Sequence, residues 1–326
     1  MDDRKASGSP DQAIAQGALL GALIGDAAGA TLEFLGRAPT VAECERALCM
    51  VGGGVWGVAP GQITDDGELT LCLARSLSGQ SRYDPDRAAQ AYLEWYASGP
   101  FDVGMATRNA FSVQIRPGQR ASAGVTRAAK FNENSKANGA LMRAAPLGVW
   151  GFRLSPKALA QAAIRDTNLS HPNPTCRYAT VAYVLAMRHL VLNPRDATGA
   201  LASARVALTH SDAQEVLHWL DEAQADKDPG YYPQAGFVRY GFTHAFRHLA
   251  KGSGYREALV ETLHGGGDTD TNACIVGGLI GALHGVEGIP LAMRQALLNC
   301  DTELGNPRPE WLSTRNADAL AIELLS

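Results

Sequence analysis

Glycine recurs at every fourth position in two apolar stretches of this 326-residue chain: Gly17, Gly21, Gly25 and Gly29 in one, Gly277, Gly281 and Gly285 in the other. Residues four apart share one face of an α-helix, so each row makes a smooth ridge. A glycine inside a helix costs roughly 1 kcal/mol against alanine, so a row of them needs a packing reason. The spacing predicts two helices, one near each end of the chain, that cross at close range in the core. Between them run further segments with apolar residues at helical spacing. Strand alternation and internal repeats are not evident in the pattern.

The second ridge helix has an unusual lead-in, His264-Gly265-Gly266-Gly267-Asp268-Thr269-Asp270-Thr271. Three glycines allow a bend and close backbone approach, which marks Gly265, Gly266 and Gly267 as places where something comes near. One aspartate or threonine would suffice to cap the helix that follows. Two of each in four residues are more oxygen than a cap requires, and such oxygens are the hard donors that Mg²⁺, Mn²⁺ or Ca²⁺ prefer. A second lead-in, Thr64-Asp65-Asp66, delivers the same chemistry to the helix beginning near Glu68. Facing one another, the two helix starts would offer four carboxylates and two hydroxyls (Thr64, Asp65, Asp66, Asp268, Asp270 and Thr271). The absence of His and Cys from that set argues against zinc.

Composition narrows the class. With 46% hydrophobic residues and a formal net charge of −4, the chain can bury a large core and shows no basic excess for nucleic acid. No apolar run reaches the ~18 residues of a membrane span. Met1 to Gln12 is polar and reads as a disordered tail rather than a signal sequence, leaving residues 13–326 as one domain. Six cysteines without CxxC pairing, several inside apolar helical runs, fit a reduced cytosol.

Thr64-Asp65-Asp66, Asp268-Thr269-Asp270-Thr271 and Gly25-Asp26-Ala27-Ala28-Gly29, in that arrangement, resemble the ADP-ribosylglycohydrolase family over about Gln16 to Leu298. The resemblance implies an all-α fold, a compact single-domain orthogonal helical bundle with a dinuclear Mg²⁺ or Mn²⁺ site in a central cleft. It also implies hydrolysis of the bond between ADP-ribose and a protein side chain. Asp26 reads as a ligand or, by preference, as a group that orients others. Glu33, seven residues on and nearly on the same helical face, matches a glutamate at the family's active-site entrance. Asp102, in Phe101-Asp102-Val103-Gly104, is a plausible helix cap, and it resembles the catalytic carboxylate of arginine-directed members. The resemblance makes Asp102 first choice and Glu33 second for the leaving group's proton. Asn138, Gly139 and Met142 resemble a segment lining the ADP-ribose cleft; His171 is a lone histidine or a ligand neighbour. Phe237 stands where the family often places a stacking Tyr. The partners implied are ADP-ribose and an ADP-ribosylated protein. Two further readings stay open: ADP-ribosyl-serine or O-acetyl-ADP-ribose as substrate, and an immunity protein that binds an ADP-ribosylating toxin through the N-terminal tail.

Overall fold

A computed structural model describes residues 9–326. In chain order the helices are α1 (Pro10–Gly29), α2 (Val41–Ala47), α3 (Asp65–Leu77), α4 (Pro85–Ala97), α5 (Met105–Phe111) and α6 (Ala121–Ala129). They continue with α7 (Ala145–Trp150), α8 (Pro156–Thr167), α9 (Pro174–Leu192), α10 (Ala197–Val206) and α11 (Gln214–Gln224). The last five are α12 (Val238–Lys251), α13 (Tyr255–His264), α14 (Thr269–His284), α15 (Leu291–Leu298) and α16 (Ala317–Glu323). Apart from two isolated bridges, Gly53–Val58 and Ala137–Phe237, the described residues hold no β-structure. One all-helical domain results.

The ridge reading holds. A methyl group placed on Gly21 would strike the carbonyl oxygen of Gly277, one on Gly17 that of Gly281, and one on Gly25 that of Ala273. Partner numbers fall as the α1 numbers rise, so α1 and α14 run antiparallel, backbone against backbone. Both are buried along nearly their whole length and form the centre of the core. Gly285 differs from the expectation: it lies just past α14 with φ 71°, ending the helix rather than extending its face.

Helix α1 starts at Pro10 with Ser9 as its cap, so the boundary expected after residue 12 falls inside it; residues 1–8 of the expected tail lie outside the described residues. Its end also differs. A helix continuing to Leu35 would keep Glu33 on the helical face, whereas α1 stops at Gly29. The hydroxyl of Thr269 donates to the Gly29 carbonyl at 2.8 Å, and Thr31 Oγ1 donates to Ala28 O at 2.8 Å. Both take carbonyls that the next turn would have used, and the chain turns so that Glu33 enters the cleft. Towards the C-terminus, residues 309–325 hold a short 3-10 turn (Glu310–Leu312) and α16 rather than one continuous helix.

Two buried ion pairs brace the segments around the cleft. Arg308 grips Glu68 with two hydrogen bonds (Nε to Oε1 2.7 Å, Nη2 to Oε2 3.0 Å), and Trp95 Nε1 donates to Glu68 Oε2 at 2.6 Å. Arg143 Nε donates to Asp166 Oδ2 at 3.2 Å, while the hydroxyls of Tyr92 and Tyr83 donate to Asp166 Oδ1 at 2.9 and 3.0 Å. Arg143 Nη1 also donates to Gly139 O at 2.9 Å, which fixes the Asn138–Gly139 segment from behind.

Candidate active site

Helix α3 begins without help from its own cap residue. Thr64 occupies the N-cap, yet its side chain caps nothing. Instead Asp26 reaches over from α1: its Oδ2 accepts from the amides of Thr64 (2.9 Å) and Gly67 (2.8 Å), and its Oδ1 from the Thr64 hydroxyl (2.7 Å). A carboxylate at a helix N-terminus satisfies free N–H groups and complements the helix dipole. Asp26 therefore orients the first turn of α3, as the sequence favoured, and releases Asp65 and Asp66 to point elsewhere.

Helix α14 also starts without a bond from its own cap residue. That residue is Asp268, whose Oδ2 accepts from Asn138 Nδ2 at 2.7 Å. Thr271 Oγ1 donates to Asp66 Oδ2 at 3.2 Å and so joins the two helix starts. Plain capping does not account for either motif.

The carboxylates converge. Asp26, Asp66 and Asp270 each bring one oxygen within 4.8 Å of the others, and Glu33, Asp102 and Asp270 form a second such group. Burial, reinforced by repulsion between neighbours, raises the pKa values of Asp65, Asp66 and Asp270 well above the ordinary carboxylate range. Asp26 is pushed up to about 7, mainly by burial and against its hydrogen bonds to Thr64 and Gly67. Glu33 rises to about 8 through burial and the charges of Asp102, Asp268 and Asp26, although Trp56 opposes the shift. Asp102 rises to about 6 through burial and the charge of Asp268.

A pocket of about 810 Å³ opens above this floor, within the range of small-molecule sites. Its lining includes Glu33, Asp65, Asp66, Asp102, Asp268, Asp270 and Thr271, together with Asn138, Gly139, Met142, His171 and Gly267. Sequence reading thus named the acidic part of the wall. Thr64 stands behind the wall, its hydroxyl committed to Asp26. Asp102 is not a cap, since α5 starts at Met105 behind Gly104. His171 is fully buried; burial and nearby Arg143 lower it to about 3, so the ring is neutral, with Nδ1 2.8 Å from Ser170 Oγ. Any side chain on Gly139 would press on that ring.

Three expected contacts are displaced. Phe237 does not line the pocket: its ring packs edge-on against Trp219 (centroids 5.4 Å apart), because Phe237 caps α12 on the core side. Tyr232 does line the pocket, along with Phe34 and Phe131, and its hydroxyl accepts from the Gly267 amide at 3.0 Å. Gly265 is a packing position under the ring of Tyr231, and Gly266 approaches Tyr232 and Ala38; neither lines the pocket. Sequence reasoning missed Tyr232 and also Trp56, whose indole meets Glu33. The only sign of Tyr232 was the Tyr231-Tyr232-Pro233 interruption of the helical pattern.

The oxygen-only donor set suits a divalent cation, and one observation fits it closely. Among the described residues, Asp66 Oδ1 is buried without any hydrogen-bond partner. An orphaned carboxylate oxygen in the interior is costly unless a cation or donor meets it. A divalent cation held by these residues would answer both the orphan and the mutual repulsion.

Comparison with known proteins gives the same direction. The model of the ADP-ribosylglycohydrolase family matches residues 9–324. The ADP-ribosylarginine hydrolase Tri1 of Pseudomonas putida (strain GB-1) is 30% identical over 89% of this chain and 76% of its own. The ADP-ribosyl-[dinitrogen reductase] glycohydrolase of Rhodospirillum rubrum is 29% identical over 85% of this chain and 87% of its own. A solved structure, an ADP-ribosylglycohydrolase-related protein complex, superposes with TM-score 0.71 at 27% identity, covering 98% of this chain and 99% of that one. With a family match along nearly the whole chain and a cleft floored by the same acidic motifs that suggested it, this protein belongs to the ADP-ribosylglycohydrolase family.

Proposed function

We propose that the protein hydrolyses the N-glycosidic bond between ADP-ribose and a protein side chain, with ADP-ribosyl-arginine as its substrate and two divalent ions, Mg²⁺ or Mn²⁺, in its service. The observation that carries the reading is the convergence of carboxylates from four segments on one pocket floor, with Asp66 Oδ1 left unpartnered. Thr64, Asp65, Asp66, Asp268, Asp270 and Thr271 would hold the ions. Once bound, such ions supply Lewis-acid stabilisation and lower the pKa of water.

The remaining work falls to the chain. Asn138 holds Asp268 at 2.7 Å, and Asp26 holds the start of α3 through three hydrogen bonds, so the donor set is fixed before substrate arrives. Cleavage at the anomeric carbon passes through an oxocarbenium-like transition state, which nearby carboxylates stabilise. Asp102 and Glu33 line the same pocket as the carboxylates that would hold the ions, which supports giving them this role. Asp102 handles the proton of the leaving group, with Glu33 second. A guanidinium leaving group is cationic and meets an acidic rim, which supports arginine over serine, as does the name of the Pseudomonas relative.

The test is release of free ADP-ribose from an arginine-ADP-ribosylated protein with Mg²⁺, with Mn²⁺ and with EDTA. Release that needs a divalent ion is the expected result. Retained cleavage in EDTA would refute the metal assignment. Cleavage only of ADP-ribosyl-serine or O-acetyl-ADP-ribose would refute the arginine assignment.

A further inference from the structure

We propose that Trp56 is a positioning residue for this reaction, holding Glu33 in its working orientation and fixing its spacing to Asp102. The inference rests on the function proposed above. Trp56 lies outside the pocket wall, on a loop that no motif marks. Its indole Nε1 donates to Glu33 Oε2 at 2.6 Å. That bond occupies one carboxylate oxygen and leaves the other for the cleft. The same ring packs edge-on against Phe34 and against Phe101, both with centroids 6.0 Å away. Phe34 follows Glu33 in the chain and Phe101 precedes Asp102, so one indole sits between the two segments that carry the candidate acids.

The loop is built to put it there. Gly54 adopts φ 72°, and any side chain on it would strike the backbone of Ala30 and Thr31; only glycine lets the loop lie directly on the chain leading to Glu33. Asn306 Nδ2 donates to the Trp56 carbonyl at 2.8 Å and ties the loop from its far side. Phe34 keeps φ 57°, a left-handed backbone uncommon for a bulky residue, and Trp56 is the aromatic ring against which it rests. A buried carboxylate deprived of its donor reorients or recruits another, so removing the indole N–H alone should disturb Glu33 without emptying the space.

Trp56→Phe deletes the N–H and keeps an aromatic ring; Trp56→Ala deletes both. With ADP-ribosyl-arginine as substrate, we expect Trp56→Phe to lower kcat about tenfold while KM and the Kd for free ADP-ribose stay within about twofold. Trp56→Ala should cost more, and Trp56→Phe should cost nothing further in a Glu33→Ala background. A kcat unchanged by Trp56→Phe, or a loss equally large with and without Glu33, would overturn the proposal. A readout without turnover stands beside it: the indole N–H resonance of Trp56, identified by its absence in Trp56→Phe, should move upfield and exchange faster in Glu33→Ala. An unmoved resonance also overturns the proposal. Failure of the wild type to cleave any ADP-ribosyl substrate, with that resonance still responding to Glu33→Ala, would refute the function and leave the contact standing.

Discussion

Asp66 and Glu68 stand two residues apart in the first turn of α3, both buried, and meet opposite fates. Glu68 faces Arg308 and Trp95, which between them satisfy its two oxygens. Asp66 faces Asp26, Asp65, Asp268 and Asp270, with the hydroxyls of Thr271 (3.2 Å) and Thr64 (3.5 Å) beside one oxygen and, among the described residues, no donor for the other. Burial raises the pKa of both carboxyls, but Arg308 pulls Glu68 back down, whereas the neighbours of Asp66 push it further up. A fully partnered buried charge is a brace. A buried charge among like charges stores strain that a cation or a proton relieves, and α3 carries one of each on its two sides.

The comparison can be broken at either residue. The largest effect belongs to the unpaired side: Asp66→Asn or Asp65→Ala should reduce ADP-ribose release by at least about 10⁴-fold, over 5 kcal/mol of barrier. At the same time Asp66→Asn should raise the melting temperature measured in EDTA, because one repelling charge is gone. Activity near wild type with Mg²⁺ present would end the assignment. On the paired side, Arg308→Met leaves Glu68 buried and uncompensated, and urea unfolding should register a loss of about 3–5 kcal/mol. A loss under 1 kcal/mol would mean that Glu68 escapes to water or takes up a proton cheaply.

Packing gives a smaller figure. Gly21→Ala drives a methyl into the Gly277 carbonyl and should cost about 1–3 kcal/mol by denaturant titration, the range of overpacked cores. A neutral result would show that α1 and α14 can part without penalty. Acidity separates the two sides again. Glu33 and Asp26 have folded pKa values of about 8 and about 7 against ordinary values of 4.5 and 3.8. For carboxyls raised in this way the folded state binds more protons than the unfolded one, so their contribution is complete below about pH 4 and is lost as pH climbs to about 8. In EDTA the melting temperature should therefore fall between those limits, and Mg²⁺ or Mn²⁺ should restore more of it at pH 8 than at pH 5. Restoration independent of pH would detach the ions from this cluster. The smallest effect is expected at Phe237→Leu, which should leave the Kd for ADP-ribose unchanged because that ring faces Trp219.

The legible part of the site consists of local patterns. Asp65, Asp66, Asp268, Asp270 and Thr271 could be found because the motif and the helix start it opens lie within a few residues of one another. Asn138, Gly139, Met142 and His171 were legible through family resemblance. Trp56, Tyr232, Arg143 and Arg308 were not. Arg308 meets a partner 240 positions away, and Trp56 sits in a glycine-rich loop whose course depends on what it lies against. Phe237 differs for the opposite reason: the direction of a ring at a helix start is set by its neighbours, here Trp219.

By itself the sequence determined that the protein is helical, that α1 and α14 meet along bare backbone, and that two helix starts bear more oxygen than capping uses. Period and residue chemistry are properties of a few successive positions, so one chain suffices to read them. Tertiary structure alone decided that Asp26 caps a helix other than its own, that α1 yields its last carbonyl to Thr269, and which carboxylate receives an arginine and which does not. Those outcomes depend on distances between segments remote in sequence, where burial multiplies the strength of every charge and each partner excludes another.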